Sequence, residues 1–247
     1  MKYLALLCAL AASVTAASCA PKSENTDPNV ESFKAKGGMV DINCISHGSI
    51  SVTYKDYVIH IDPVSGRNAD YSSFPEADLI LITHEHGDHL NQQTIDMLSK
   101  PGTRLIANGK SQAQLGYGEV MANGGSADII KGIKVEATPA YNTTEDRLQF
   151  HPKGNGNGYL LTVGGLRIFV SGDSEDIEEY AQLKDIDVAF LSANQPYTMT
   201  VEQCIHAAKV IKPKVLVPYH LGNTDMQAIK NGLEGTGIEV RLHESLR

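Results

Sequence analysis

The sequence predicts an α+β domain in which two β-sheets pack face to face and helices lie on the outer surfaces. Three observations predict it. Strand-like apolar runs dominate the start of each half of the chain. Helix-like segments punctuate the later part of each half. From about Gly37 onward the chain is one domain's worth of residues, enough for a sizeable core.

In chain order, the first expected element is not part of that domain. Lys2 precedes an apolar stretch from Tyr3 to Leu10 and a run of small residues to Ser18. Residues 1–18 read as a secretory signal, too short for a comfortable membrane span. The small residues before Cys19 resemble a bacterial lipobox, with Ala16 standing where Leu is more usual. Cys19 is then the lipidated first residue of an exported lipoprotein. The alternative is cleavage near Ala20 and a soluble periplasmic or secreted protein. Residues 19–36, rich in Ser, Asn, Asp and Pro, read as a flexible tether.

The domain is expected over 37–247. Short β-like runs come first, at 39–45, 49–54, 57–61 and 78–83, with a hairpin turn at Lys55-Asp56. A helix follows over 91–99, with Ile95 and Leu98 on its apolar side, and Pro101-Gly102 ends it. Residues 103–107 read as a strand. The second half repeats the order, with strands at 127–130, 133–138, 158–163 and 167–171, where Gly164-Gly165 makes a hairpin turn. A helix is expected at 177–183 and a strand at 188–192. Thr200 caps a helix whose apolar positions are Val201, Cys204, Ile205, Ala208 and Ile211, and Glu202 sits near its positive end. A short strand at 215–218, a helix at 225–233 and a strand at 238–242 complete the pattern.

The formal charge is −8, with no Lys/Arg run. That argues against a nucleic-acid partner and leaves a small molecule as the expected substrate. Membrane contact is expected only through a lipid on Cys19. Cys44 and Cys204 lie in apolar-patterned segments and read as buried thiols. They have no activating context, and no G-x-S-x-G motif competes for a catalytic role.

The chemistry concentrates in His84-Glu85-His86-Gly87-Asp88-His89, directly after the apolar run 78–83. Three imidazoles and a carboxylate this close are costly to assemble unless a cation holds them. Neutral imidazole and carboxylate suit zinc, and iron or manganese also accept them. At a strand end the chain leaves its pleat. His84 and His86 can then face one metal, while Asp88 and His89 follow the turn toward a second. Glu85 lies between ligands and is expected to point away. Four residues cannot saturate two metals, so distant donors are needed at other strand ends. Asp173, in Ser171-Gly172-Asp173, and His220, in Pro218-Tyr219-His220, fit that position.

H-x-H-x-D-H, a later S-G-D and a later P-x-H together resemble the metallo-β-lactamase superfamily, from about Met39 to Arg247. The resemblance implies a four-layer αββα sandwich with its site at the edge between the sheets. It implies His84 and His86 on the first metal, Asp88, His89 and His220 on the second, and Asp173 bridging the two. Ile45-Ser46-His47-Gly48-Ser49, Ile61-Asp62-Pro63 and Pro218–Asn223 are similar to the compact branch related to ascorbate-6-phosphate lactonase. By that likeness Asp62 orients a ligand through a hydrogen bond. A strand-end turn before Pro63 accounts for Asp62 as well. His47 is near the site by resemblance only, with a structural role expected.

The chain departs from the family pattern at one point. The histidine expected near 137–142 is absent. Either His151 replaces it from a loop, or the first metal is held by His84, His86, Asp173 and water. His60, His206 and His243 have no such context and are expected to be structural or on the surface. Tyr141, Asn142, Asn194, Tyr197 and Tyr219 lie near the proposed ligands, where contact with a substrate oxyanion and plain loop packing are both open. The expected activity is metal-dependent hydrolysis, with two Zn2+ (or Mn2+ or Fe) activating water and Asp88 accepting its proton. A small ester or lactone is the first expected substrate and a phosphodiester the second. The competing reading is a non-catalytic exported metal- or ligand-binding protein.

Overall fold

The computed structural model describes residues 27–66 and 69–247. The signal expected over 1–18 and the lipidation expected at Cys19 lie outside them. The first half of the domain forms one seven-stranded sheet whose strands lie in chain order. They are β1 (Val30–Ala35), β2 (Gly38–Ser46), β3 (Ser49–Tyr54), β4 (Tyr57–Ile61), β5 (Ala77–Ile82), β6 (Ser99–Ala107) and β7 (Glu119–Val120). The second half repeats the design with β8 (Ser126–Ile130), β9 (Ile133–Ala140), β10 (Gly156–Val163), β11 (Leu166–Val170), β12 (Val188–Ser192), β13 (Val215–Tyr219) and β14 (Glu239–Val240).

In each half the first four strands pair antiparallel and the last four pair parallel. Parallel neighbours need a crossover, and that is where the helices fall: α1 (Gln92–Leu98), α2 (Gly109–Leu115), α3 (Val201–Ile211) and α4 (Met226–Gly232). Thr200 caps α3 in a full capping box with Gln203.

Burial follows the two-residue period of the strands. On β5, Leu79 and Leu81 enter the core between the sheets, while Ile80 and Ile82 pack outward with Ile95 and Leu98 of α1. On β12, Val188 and Phe190 face the inter-sheet core, and Ala189 and Leu191 face Cys204 and Ala208 of α3. Parallel strands covered on both faces therefore read as unbroken apolar runs. The fold is the metallo-β-lactamase fold, an αββα sandwich. Cys44 and Cys204 are free and buried, and burial pushes the Cys204 thiol up to about 12.

Two expectations need correction, and one helix carries no sequence signal. Residues 30–35 of the tether read over 19–36 are instead a strand, because Val30–Ala35 pairs along β2 from Val30↔Asn43 to Ala35↔Gly38. Its polar side chains are used: Ser32 donates to Asp41, and Glu31 accepts from His243 and pairs with Arg241. The helix read at 177–183 is a 3-10 segment, Glu178–Gln182. The helix α2 has no such signal, because Ser111 is its one buried residue and no apolar stripe marks it.

His60 on β4 is fully buried beside Tyr71 and Phe74, with Nε2 3.1 Å from the Pro75 carbonyl. Burial lowers its pKa from 6.5 to about 4. The unfolded chain therefore takes up this proton as pH drops below 6.5, while the folded chain resists until about 4, so stability falls through that window. Between pH 7 and pH 5 this group alone is expected to cost about 2 kcal/mol. In urea unfolding at the two pH values, His60→Gln should show a smaller acid-induced loss than the wild type by about that amount. Equal losses in both proteins would refute the assignment.

Candidate metal centre

The chemistry-bearing residues gather at one edge of the sandwich, at the C-terminal ends of parallel strands and in the loops beside them. Asp62 ends β4, His84 follows β5, Asp173 follows β11 and His220 follows β13. That is where open parallel sheets leave a crevice. His47 enters from the β2–β3 turn, and His151 from the loop between β9 and β10.

The donor atoms form three groups, two of them sharing His84: His84, His86 and His151; His47, Asp88 and His220; and His84, His89 and Asp173. Asp173 lies at the centre. Its Oδ2 is 3.3 Å from His151 Nε2, 3.4 Å from His220 Nε2 and 3.9 Å from His84 Nε2, and its Oδ1 is 3.3 Å from His89 Nε2. His84 Nε2 and His86 Nδ1 are 3.0 Å apart.

The far sides of the rings fix their tautomers. Asp62, fully buried, accepts from the Thr83 N–H at 2.7 Å, the Thr83 hydroxyl at 2.6 Å and His89 Nδ1 at 2.8 Å. The Thr83 hydroxyl is thus spent on Asp62, so His84 Nδ1, 3.0 Å away, donates to its oxygen. His151 Nδ1 donates to the Tyr197 carbonyl at 3.1 Å. Each of these three rings therefore turns Nε2 toward the Asp173 carboxylate, where that atom can hold a metal or, on His89, a proton. Nε2 of His89, His151 and His220 and Oδ1 of Asp173 are buried with no hydrogen-bond partner. Lone pairs that face one another in a dry site repel unless a cation lies between them. The donor set fits a metal, with the outer hydrogen bonds that orient ligating imidazoles.

The electrostatics agree. Burial first, then the charge on His89, holds His84 well below the usual imidazole range. Burial and neighbouring His151 lower His86 too. Burial opposes a charge on His89, but the Asp173 and Asp62 carboxylates on either side raise it well above that range. Burial resists ionisation of Asp88 and Asp173, yet the histidines around them hold both carboxyls far below the ordinary value. These carboxylates demand positive charge, and His84, His86 and His220 resist supplying it as protons.

The local backbone is shaped for this convergence. His47, Asp62 and His220 all have positive φ, at 51°, 47° and 53°. Left-handed non-glycine residues cost about 1 kcal/mol or more each and collect at functional sites. A Cβ on Gly48 would lie 2.7 Å from His89 Cε1, so glycine lets the β2–β3 turn close on that ring. The turn is tied to the second half, where His220 N–H donates to the His47 carbonyl at 3.1 Å.

The structure changes the reading of His47. Its Nε2 is 3.5 Å from Asp88 Oδ2, as is that of His220, and the His47 and His220 rings lie 3.8 Å apart. His47 thus stands with Asp88 and His220, a group in addition to the one that His89 makes with His84 and Asp173. The clue available in sequence was a histidine in a tight Ser46-His47-Gly48 turn. Glu85 turns away to Asn155 and Lys110. His60, His206 and His243 lie outside the cluster. A cavity of about 430 Å³ opens over it, with Asn194, Phe150, Tyr197 and Arg247 in its walls. The Arg247 guanidinium is held by the Thr224 carbonyl and by Glu244. Tyr141 is directed to Glu179 and Lys153 instead, and Tyr219 is buried in the core.

This edge-of-sandwich cluster belongs with one class of protein. The chain is a member of the beta-lactamase superfamily, whose domain model matches residues 41–220. Within it, the chain falls among the UPF0173 metal-dependent hydrolases: that of Bacillus licheniformis is 32% identical, over 70% of this chain and 82% of the relative. The crystal structure of a Parabacteroides distasonis protein inferred to be a metal-dependent hydrolase is 51% identical, with a TM-score of 0.85 over 87% of this chain and 98% of that one. Igni18, a metallo hydrolase of Ignicoccus hospitalis, shares the fold at 24% identity and a TM-score of 0.68, over 84% and 96% of the two chains.

If His47 Nε2 is a donor, His47→Ala should lower the zinc content of purified protein by one equivalent, with an unchanged circular dichroism spectrum. Two tightly held equivalents in the variant would return His47 to a structural role.

Proposed function

We propose that this protein is a two-metal hydrolase acting on a small ester or lactone, with a phosphodiester as the second substrate class. The observation that carries the reading is the central Asp173 carboxylate ringed by four imidazole Nε2 atoms. His84, His86 and His151 would hold one metal and His47, Asp88 and His220 the other, with Asp173 and His89 between them. Imidazole-rich donors with few carboxylates favour zinc over manganese or calcium. Bound there, a pair of such ions lowers the pKa of water to about 7 and polarises a carbonyl or phosphoryl oxygen.

The chain's own groups supply the rest. Asp88 is the more exposed of the two central carboxylates, with 30% of its side chain open against 4% for Asp173. It lines the cavity, is held ionised by His220 and His47, and can accept a proton from attacking water. Asp62 and the Tyr197 carbonyl keep His89 and His151 in the tautomers that leave Nε2 free. Asn194 and the Tyr197 ring stand where a substrate oxygen and an apolar group can rest. The ester or lactone preference comes from the likeness of Ser46-His47-Gly48, Ile61-Asp62-Pro63 and Pro218–Asn223 to the lactonase branch. With residues 1–18 read as an export signal, the substrate is met outside the cytoplasm.

A panel of lactones, esters and phosphodiesters, assayed with and without chelator, tests the proposal. Turnover should vanish with chelator and return with zinc. His86→Ala and Asp88→Ala should each lower kcat about a hundredfold or more while the protein stays folded. Unchanged turnover in either variant would sink the mechanism. Tight metal binding with no turnover across the panel would favour a binding protein.

A further inference from the structure

Two residues beyond Asp173 the chain buries another carboxylate, which the proposed chemistry does not use. The Glu175 side chain is fully buried. Its Oε2 accepts the backbone N–H groups of Thr143 and Thr144, both at 2.7 Å, and the Thr143 hydroxyl at 3.1 Å. Its Oε1 accepts the Thr144 hydroxyl at 2.8 Å and Arg147 Nη1 at 3.2 Å. A carboxylate offers about four lone-pair sites, so this one is saturated. Burying it without such partners would be strongly unfavourable. An apolar side chain would fill the space more cheaply, so the donors it gathers are the informative feature.

All of them come from residues 143–147, the start of the β9–β10 loop that carries His151. That loop has little regular structure of its own beyond a 3-10 turn at Glu145–Arg147. The remaining ties complete a closed path to the cluster. Asn142 N–H donates to the His151 carbonyl at 2.8 Å. Asn142 Nδ2 donates to the carbonyls of Arg147 and Tyr197, and His151 Nδ1 meets the same Tyr197 carbonyl. Glu175 N–H donates to the Tyr141 carbonyl at 3.0 Å, anchoring the loop's first residue. The segment 173–175 thus sends one carboxylate into the cluster and the other into the loop that brings a histidine to it.

We propose that Glu175 is a positioning residue for the metal cluster: its carboxylate fixes the 141–155 loop in the conformation that delivers His151 to His84 and His86. The inference rests on the reading that these three histidines hold a metal. It also gives a physical reason why a histidine from an irregular loop can take the place of one from a strand end.

The test measures metal rather than turnover. Zinc content and affinity are determined by competition with a chromophoric chelator for the wild type, Glu175→Gln, His151→Ala and the double variant, with circular dichroism and thermal melting alongside. Glutamine keeps the side chain's size but loses the charge and turns a donor toward the Thr donors. Glu175→Gln should weaken one zinc equivalent about tenfold or more and leave the other unchanged. Glu175→Asp, which keeps the charge, should restore part of that affinity. The double variant should bind no more weakly than His151→Ala, because the clamp acts through His151. If Glu175→Gln does not fold, Thr143→Val/Thr144→Val tests the clamp from the loop side and should weaken the same equivalent. Wild-type affinity in the folded Glu175 or Thr variants, or independent losses that multiply in the double variant, would overturn the inference. If His151→Ala itself keeps two tight equivalents, the His151 ligand reading fails and this inference with it. If His151→Ala loses one equivalent and Glu175→Gln loses none, the inference about Glu175 alone fails.

Discussion

The edge of this sandwich is organised around one electrostatic problem. Asp173 is a buried carboxylate whose nearest neighbours are the Nε2 atoms of four imidazoles. Such an arrangement repels itself unless positive charge sits within it. Proteins avoid that cost elsewhere by pairing or exposing charged groups. Here the surroundings instead reinforce it. Asp62 fixes His89 directly and His84 through Thr83, and the Tyr197 carbonyl fixes His151. Each outer hydrogen bond commits a ring to a tautomer that serves a cation.

The two halves of the chain share the construction of this cluster. The first supplies His47, Asp62 and the 84–89 run, and the second supplies His151, Asp173 and His220. Neither half is sufficient, because Asp88 and His220 meet only where the ends of β5 and β13 face each other across the inter-sheet core. The His220 N–H to His47 carbonyl bond crosses the same boundary. The core residues Leu79, Leu81, Val188 and Phe190, remote from the chemistry, hold the halves in register. Deleting a methylene there would affect geometry as well as stability, since packed cores relax only in part.

How much of this was legible in the sequence depended on whether a residue sits at the end of a regular element. His84, Asp173 and His220 each follow an apolar strand, and a strand's pattern announces its own end. The parallel strands were equally plain, because burial on both faces leaves an unbroken run such as Asp78-Leu79-Ile80-Leu81-Ile82. β1 was not plain. It is an edge strand with intermediate burial, and its polar residues look like linker until Glu31 and Ser32 are seen to have partners. His47 sits in a hairpin turn, where nothing in the local pattern says that the turn folds back over another ring. Glu175 could not be read at all, since its donors come from a loop about thirty residues earlier whose path no periodicity specifies.

That contrast has a consequence for the cluster itself. His47, Asp62 and His220 are held in left-handed backbone by turns directly abutting strands, and the sheets over-determine their positions. His84 and His86 are placed by the end of β5. His151 alone reaches the cluster on a long irregular loop, and its position is only as good as the hydrogen bonds that fix that loop. A loop held by backbone and side-chain polar contacts opens more readily than a strand end buried on both faces. The group containing His84, His86 and His151 is therefore the softer part of the cluster, and the group containing His47, Asp88 and His220 the stiffer. Saturating the Glu175 carboxylate with loop donors is the structure's answer to that softness. Opening the loop is costly because the carboxylate would lose all five of its hydrogen-bond donors together.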